Sequence, residues 1–305
     1  MNIEVIVDEI NRLKEEKNAI ILVHNYQRGE IQDIADYLGD SLGLSKEASR
    51  TDADIIVFCG VLFMAETAKI LSPEKIVLQP RIEAGCELAN KITVDDLRKA
   101  KEKYPDAKVV SYVNSYAEVK ANSDVCCTSA NAIEVVKNID SDKVIFVPDR
   151  NLALYVQRFV DKEIIPWNGY CYVHENIKEI DVIKAKEKYP DALVVVHPEC
   201  SPPVIDLADK VLSTGGMVKF AYDKDNKRFL IGTEKGIIYR LKKENPDKEF
   251  YPIKKGSLCW DMKMTSLKDV YISLLDERYK IDLQEDIINK SKRALEKMLE
   301  YSLND

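Results

Sequence analysis

One stretch of this chain is written twice. Leu97 to Glu118 reads LRKAKEKYPDAKVVSYVNSYAE, and Val182 to Glu199 reads VIKAKEKYPDALVVVHPE; the shared KEKYPDA starts at Lys101 and again at Lys186, 85 residues on. A fainter copy opens the chain, where LKEEKNAIILVHNYQ from Leu13 to Gln27 has the same charged helix end running into an apolar strand. Aligning Ala19, Ala107 and Ala192 puts His24, Tyr112 and His197 in one slot, at offsets of 88 and 85. The same two offsets carry Ser41 to Ser129 and then to Thr214. They carry Cys86 to His174 and then to Cys259, with Cys171 three residues ahead of His174. A period of this length decides the fold class before local propensity does. It predicts three repeats, at 1–90 with an N-terminal helix, 91–175 and 176–265, and a C-terminal pair of helices over 266–305 that closes the molecule.

Within each repeat short apolar strands alternate with helical patterns. AIILVHNY (19–26) and ADIIVFCG (53–60) are continuous apolar runs of the kind buried on both faces of a parallel sheet. A helical pattern is read over 31–38 and again from Ser41, and KVLSTGG in the third copy is read as a strand. Strands that alternate with helices mean βαβ units with parallel sheets. The expected fold is therefore α/β: three α/β/α sandwiches of about four strands each, related by a pseudo-threefold axis around a central cavity. Ligands of such sheets gather beyond the carboxyl ends of the strands. His24, Tyr112 and His197 sit at such ends. Ser41, Ser129 and Thr214 stand where helices begin, so free N–H groups and the helix dipole favour an anion beside each, unless these residues are ordinary N-caps.

Charge and patterning narrow the function classes. A net charge of −7 with no basic block among aromatics argues against nucleic acid. No run of 18 apolar residues is present to span a membrane. The first residues, MNIEVIVDEINRLKEEK, form an amphipathic charged helix and not an export signal. A cytoplasmic, reducing setting is thus expected, where seven cysteines serve metal binding or catalysis in preference to disulfides.

Cys59, Cys126 and Cys127 lie in apolar strands and read as core, and Cys200 follows Glu199 near the expected cavity without an assigned role. Cys86, Cys171 and Cys259 each follow the fourth strand of a repeat, too far apart for any local CxxC motif. Three thiolates converging on a threefold axis suit zinc or an iron–sulfur cluster. A cubane held by three cysteines leaves one iron open as a Lewis acid. In register, His174 competes with Cys171 for the middle position.

These residues resemble a known family. HNYQ at 24–27, GDSLGLS at 39–45, YVNS at 112–115, TSANA at 128–132, PDRNL at 148–152, NGYCYVHE around Cys171, HPEC at 197–200, STGGM at 213–217 and GTEKG at 232–236 are similar to quinolinate synthase, in order and over nearly the full chain. The resemblance implies a three-domain pseudo-threefold enzyme of de novo NAD biosynthesis with a [4Fe–4S] cluster on Cys86, Cys171 and Cys259, His174 being a cavity neighbour. The reaction it implies condenses iminoaspartate (iminosuccinate) with dihydroxyacetone phosphate to quinolinate, releasing phosphate and water, with transient contact to an iminoaspartate-producing enzyme. Two departures stand out. Asp261 occupies the place of an asparagine ahead of Met262 and Lys263, and the C-terminal CxxC pair of some members is missing, so no thiol switch based on it is expected.

On this reading Ser41, Ser129 and Thr214 hold the carboxylates and the phosphate. His24 and His197 donate hydrogen bonds to these anions or carry protons near neutral pH. Glu199 is the general base of the isomerisation and dehydration steps. Tyr112 and Asn114 orient the triose, and Tyr26 closes over the bound intermediate. Two rivals are another [4Fe–4S] hydro-lyase and a non-catalytic anion or sugar-phosphate binding protein with structural metal.

Overall fold

The structure, a computed structural model, describes residues 2–301. Among these residues twelve strands form three four-stranded sheets. The first holds β1 (Ala19–His24), β2 (Tyr37–Gly39), β3 (Ile55–Cys59) and β4 (Ile76–Leu78) in the order β2-β1-β3-β4. The second holds β5 (Lys108–Tyr112), β6 (Val125–Cys127), β7 (Lys143–Val147) and β8 (Glu163–Pro166), and the third β9 (Leu193–Val196), β10 (Lys210–Val211), β11 (Arg228–Gly232) and β12 (Glu249–Pro252). Both repeat the first order, β6-β5-β7-β8 and β10-β9-β11-β12, with every pair parallel. The registers repeat too: Ile21 faces Val57, Val109 faces Ile145 and Val194 faces Leu230. These positions are separated by the 88 and 85 of the sequence repeat.

One aspartate per repeat pins each sheet. The carboxylates of Asp36, Asp124 and Asp209 accept the backbone N–H of Ile21, Val109 and Val194 at 2.8, 2.8 and 2.7 Å. Each aspartate returns its own N–H to the carbonyl of the same residue. The bonds tie the entry to the short second strand onto the first. Such a strand has little apolar surface of its own, so a charge-assisted bond at its edge substitutes for burial.

The sequence reading departs from the structure at these short strands. The 31–38 stretch is not one helix: a single turn at Gly29–Gln32 leads into β2. In the third repeat only Lys210 and Val211 are extended, and STGGM opens a helix, Thr214–Ala221. Three-residue strands lack the length to show a period of two, so helical and extended readings compete over them.

Packing is unequal among the repeats. One apolar core runs from Ile56 and Phe63 of the first repeat through Val110 and Phe146 of the second, while the third holds separate clusters around Val194 and around Phe229. The third repeat meets the first largely through polar contacts. Tyr239 Oη donates to Asp33 at 2.6 Å, and Arg240 donates to Asn25 Oδ1 and the Leu38 carbonyl at 2.8 and 2.7 Å. The two C-terminal helices, Leu267–Asp276 and Glu285–Tyr301, cover the outer faces of the first two repeats. The second buries Leu295 and Met298 in their shared core. Residues 302–305, including the last of the stretch read as helix, lie outside the described residues.

Candidate active site

The carboxyl ends of the first strands of all three sheets open onto one cavity of about 680 Å³, the space at its mouth included. Its lining includes four of the expected side chains from each repeat: His24, Tyr26, Ser41 and Cys86 from the first, Tyr112, Asn114, Ser129 and Cys171 from the second, and His197, Glu199, Thr214 and Cys259 from the third. All twelve residues expected from the sequence therefore share one space. The twofold spacing in 24/26, 112/114 and 197/199 has a local cause. The chain turns as it leaves the strand, and the N–H of Tyr26 and of Glu199 bonds back to Nδ1 of His24 and His197 at 3.2 and 3.3 Å.

Glu199 is the charged centre of the cavity. Its Oε2 lies 2.8 Å from His174 Nδ1 and 3.3 Å from His197 Nδ1, and all three residues are buried. Burial alone pushes a carboxyl up, but the two imidazoles outweigh it and hold Glu199 below the usual carboxylate range. The His174 and His197 rings stack at 4.7 Å between centroids. His174 Nε2 meets Thr233 Oγ1 at 2.7 Å, and Thr233 shares a 2.5 Å hydrogen bond with Tyr26 Oη. His197 Nε2 meets Ser129 Oγ at 3.1 Å, and Asn25 Nδ2 donates to Thr214 Oγ1 at 3.0 Å. Apart from the contact between Glu199 and His197, which lie on one repeat, every step of this network crosses from one repeat to another.

Two expectations change. Burial, with His197 and Lys263 adding to it, lowers His24 from 6.5 to about 3, and burial also lowers His197 against the pull of Glu199. Both imidazoles are therefore mainly uncharged hydrogen-bonding groups near pH 7. The helix starts are also less uniform than the repeat suggests. Ser41 and Thr214 are first residues of helices whose caps are Asp40 and Ser213, but Ser129 lies in a turn ahead of Asn131 and the seven-residue helix Ala132–Asn138. Tyr26 and Tyr112 stay protonated donors, because burial and the Glu199 charge raise both phenols well above 10.

The three cysteines come to one side of the cavity, on loops after β4, β8 and β12, and none is joined in a disulfide. Burial pushes the Cys86 thiol up to about 12 and Cys259 to about 11, and raises Cys171 well above its ordinary value. Each pair is close enough for the charge of one sulfur to act on another. Three soft donors held close in this way fit a metal that displaces their protons. The donors of Cys171, His174 and Glu199 lie within 4.8 Å of one another, a grouping of metal-ligand type that shares only Cys171 with the three cysteines. Glycine is required in the middle loop, since a Cβ at Gly169 would overlap the carbonyl oxygen of Pro148. Cys59, Cys126 and Cys127 are core as expected, and buried Cys200 points at the Gly232 carbonyl outside the cavity lining.

Reading the sequence left several functional neighbours unassigned. Thr233, Glu234, Asp149 and Lys263 do not face the expected slots, and His174 had only a contested place. Asp261 opens a short turn, Asp261–Lys263, and lines the cavity with its carboxyl near the N–H of Gly85 beside Cys86. Two oxygens on the cavity wall, Glu199 Oε1 and Asn114 Oδ1, are buried with no hydrogen-bond partner in the protein. Acceptors left in this state are open to a hydrogen bond from a ligand or a water.

A buried carboxylate between imidazoles, beside three thiols able to hold a metal and in a cavity between three sheets, is the arrangement of an enzyme site for small molecules. Comparison with known proteins makes the class specific. The chain belongs to the quinolinate synthase family: the family described as "NadA: Quinolinate synthetase A protein" matches residues 8–300. It is 56% identical to the quinolinate synthase of Thermodesulfovibrio yellowstonii over 96% of this chain and 97% of that one. It is 54% identical to those of Caldicellulosiruptor saccharolyticus, over 99% of this chain and all of that one, and Pyrococcus horikoshii, over 97% and 99%. No helix among the described residues is long and apolar enough to cross a membrane.

Proposed function

We propose that this chain condenses iminoaspartate with dihydroxyacetone phosphate to quinolinate, releasing phosphate and water, and that Cys86, Cys171 and Cys259 hold a [4Fe–4S] cluster for it. The observation that carries the reading is that four side chains from each repeat, one cysteine among them, line a single enclosed cavity. When bound, a cluster on three cysteines supplies an open iron that acts as a Lewis acid toward a carboxylate or a departing hydroxyl. The repeats divided at 1–90, 91–175 and 176–265 then contribute equally to it, and the helices beyond 266 brace the first two. The expected setting is the cytoplasm.

The chain's own residues supply the rest. Both substrates are anionic, and Ser41, Ser129 and Thr214 with their neighbouring backbone N–H groups receive carboxylate and phosphate oxygens. Mainly uncharged near pH 7, His24 and His197 donate hydrogen bonds. Glu199, charged and with Oε1 free of partners, takes protons from the carbon framework during isomerisation and dehydration. Its paired imidazoles keep it ionised until a substrate proton arrives. Asn114 and Tyr112 orient the triose. Tyr26, bonded to Thr233, closes the wall opposite Glu199 and excludes water.

The test is turnover by anaerobically prepared protein given iminoaspartate and dihydroxyacetone phosphate, read as quinolinate formed. Quinolinate in amounts that track both substrates supports the reading. Dehydration of a hydroxyacid without any triose phosphate makes the protein a hydro-lyase instead. A colourless protein with zinc on Cys171, His174 and Glu199 makes it a binding protein.

A further inference from the structure

The three cysteine loops hang from the body of the protein in one way. Leu62, Arg150 and Lys235 follow the third strand of each sheet. Their N–H groups donate to the carbonyls of Ala84, Gly169 and Ser257 at 2.9, 2.8 and 2.8 Å. Each acceptor lies two residues ahead of a cysteine, Cys86, Cys171 or Cys259. The donors are again 88 and 85 residues apart. What differs is the residue before each donor: Val61, Asp149 and Glu234.

Asp149 and Glu234 reach across to the cysteines themselves. Asp149 Oδ2 accepts the N–H of Cys171 at 3.2 Å while Oδ1 accepts that of Leu152 at 2.8 Å. Glu234 Oε1 accepts the N–H of Cys259 at 3.3 Å while Oε2 accepts that of Gly236 at 2.6 Å. Both carboxyl groups are fully buried. Val61 has no side-chain acceptor to offer, and in the first loop the N–H of Gly85 donates to the Glu83 carbonyl at 2.8 Å, with the Asp261 carboxyl near it. A carboxyl bonded to the N–H of a ligand residue fixes that peptide plane, and so the direction in which the Cα–Cβ bond aims the sulfur. Hydrogen bonds of this kind are strong because they are charge-assisted or buried.

We propose that Asp149 and Glu234 are positioning residues that aim the sulfurs of Cys171 and Cys259 at the metal centre. The proposal rests on the reading that these cysteines hold an iron–sulfur cluster. A carboxyl that only capped a helix would matter for folding and leave the metal untouched. The isosteric amide separates the two roles, since Asp149→Asn and Glu234→Gln keep volume but retain one acceptor oxygen for two N–H donors. Asp124→Asn is the control, because Asp124 makes the same carboxyl-to-backbone bond to Val109 on β5, away from the cavity lining.

The experiment uses full-length, anaerobically reconstituted protein. Iron release to a ferrous chelator and the electron paramagnetic resonance spectrum of the dithionite-reduced protein are recorded beside the thermal midpoint. Asp149→Asn and Glu234→Gln are expected to release iron roughly tenfold to a hundredfold faster than the native protein and to shift its resonance signal. Asp124→Asn is expected to match the native protein in both. If one of the two amide variants does not fold, the other carries the test. Native release rates and an unchanged signal in the variants, whatever the thermal midpoint does, overturn the proposal. A native protein that takes up no iron and sulfide overturns the cluster reading itself, and this proposal with it.

Discussion

Oε2 of Glu199 lies 2.8 Å from Nδ1 of His174, and the pair is sealed from solvent between the second and third repeats. The contact holds a buried carboxylate in its charged form, which burial alone opposes. A base kept charged in a closed site is available without first losing a proton to bulk water. Glu199→Gln preserves shape and removes the basic oxygen. It is expected to retain the fold and the iron content while turnover falls about a hundredfold or more. Near-native turnover in a metal-replete Glu199→Gln would take the base role away from it.

His174 and Cys171 stand close enough to compete for one metal position. In the structure His174 Nε2 is bonded to Thr233 Oγ1, and its Nδ1 lies 2.8 Å from Glu199 Oε2 outside hydrogen-bond alignment. Cys171→Ala is therefore expected to abolish the visible absorbance of the cluster, and His174→Gln to leave most of it. The reverse pattern in the absorbance spectra would make His174 the ligand.

Acid should destabilise the fold through the cavity. In the unfolded chain His24 gains its proton near 6.5, and in the folded one burial delays this to about 3. The unfolded state thus binds more protons between those values, and stability falls as pH drops through them. His197, lowered in the same way, adds to the slope. Glu199 is shifted below its ordinary 4.5, so its contribution is present above that value and declines below it. His24→Asn keeps an acceptor for the Tyr26 N–H and removes the titration. Urea midpoints followed from neutral pH toward about pH 4 should fall less steeply in His24→Asn. Parallel slopes would contradict the assignment.

The repeat made most of this site legible, because its offsets recur in register at strand ends and in the loops after the fourth strands. It did not reach β2, which is three residues long, nor the helix that opens at Thr214. Asp36, Asp124 and Asp209 obey the same offsets, yet surface aspartates look alike until their backbone partners are known. Thr233, Asp149 and Glu234 escaped for another reason. Thr233 has no polar counterpart in the other copies, and Asp149 and Glu234 stand in register with Val61, so the offsets mark no acid recurring in all three. The charge state of the histidines was out of reach as well, since it follows from burial that only the closed assembly creates.

The last helix braces two repeats at once. Leu295 is fully buried in the core they share. Leu295→Ala is expected to lower unfolding free energy by about 2–5 kcal/mol, measured by urea denaturation. A change under about 1 kcal/mol would mean that the helix is peripheral to folding.

The central claim is that a threefold repeat brings one cysteine from each copy to a shared iron–sulfur centre. Iron and acid-labile sulfide analysis of anaerobically purified protein, with an absorbance spectrum, tests it most directly. About four irons and four sulfides per chain in a brown protein is the predicted result. A colourless protein that cannot be reconstituted with iron and sulfide would contradict it.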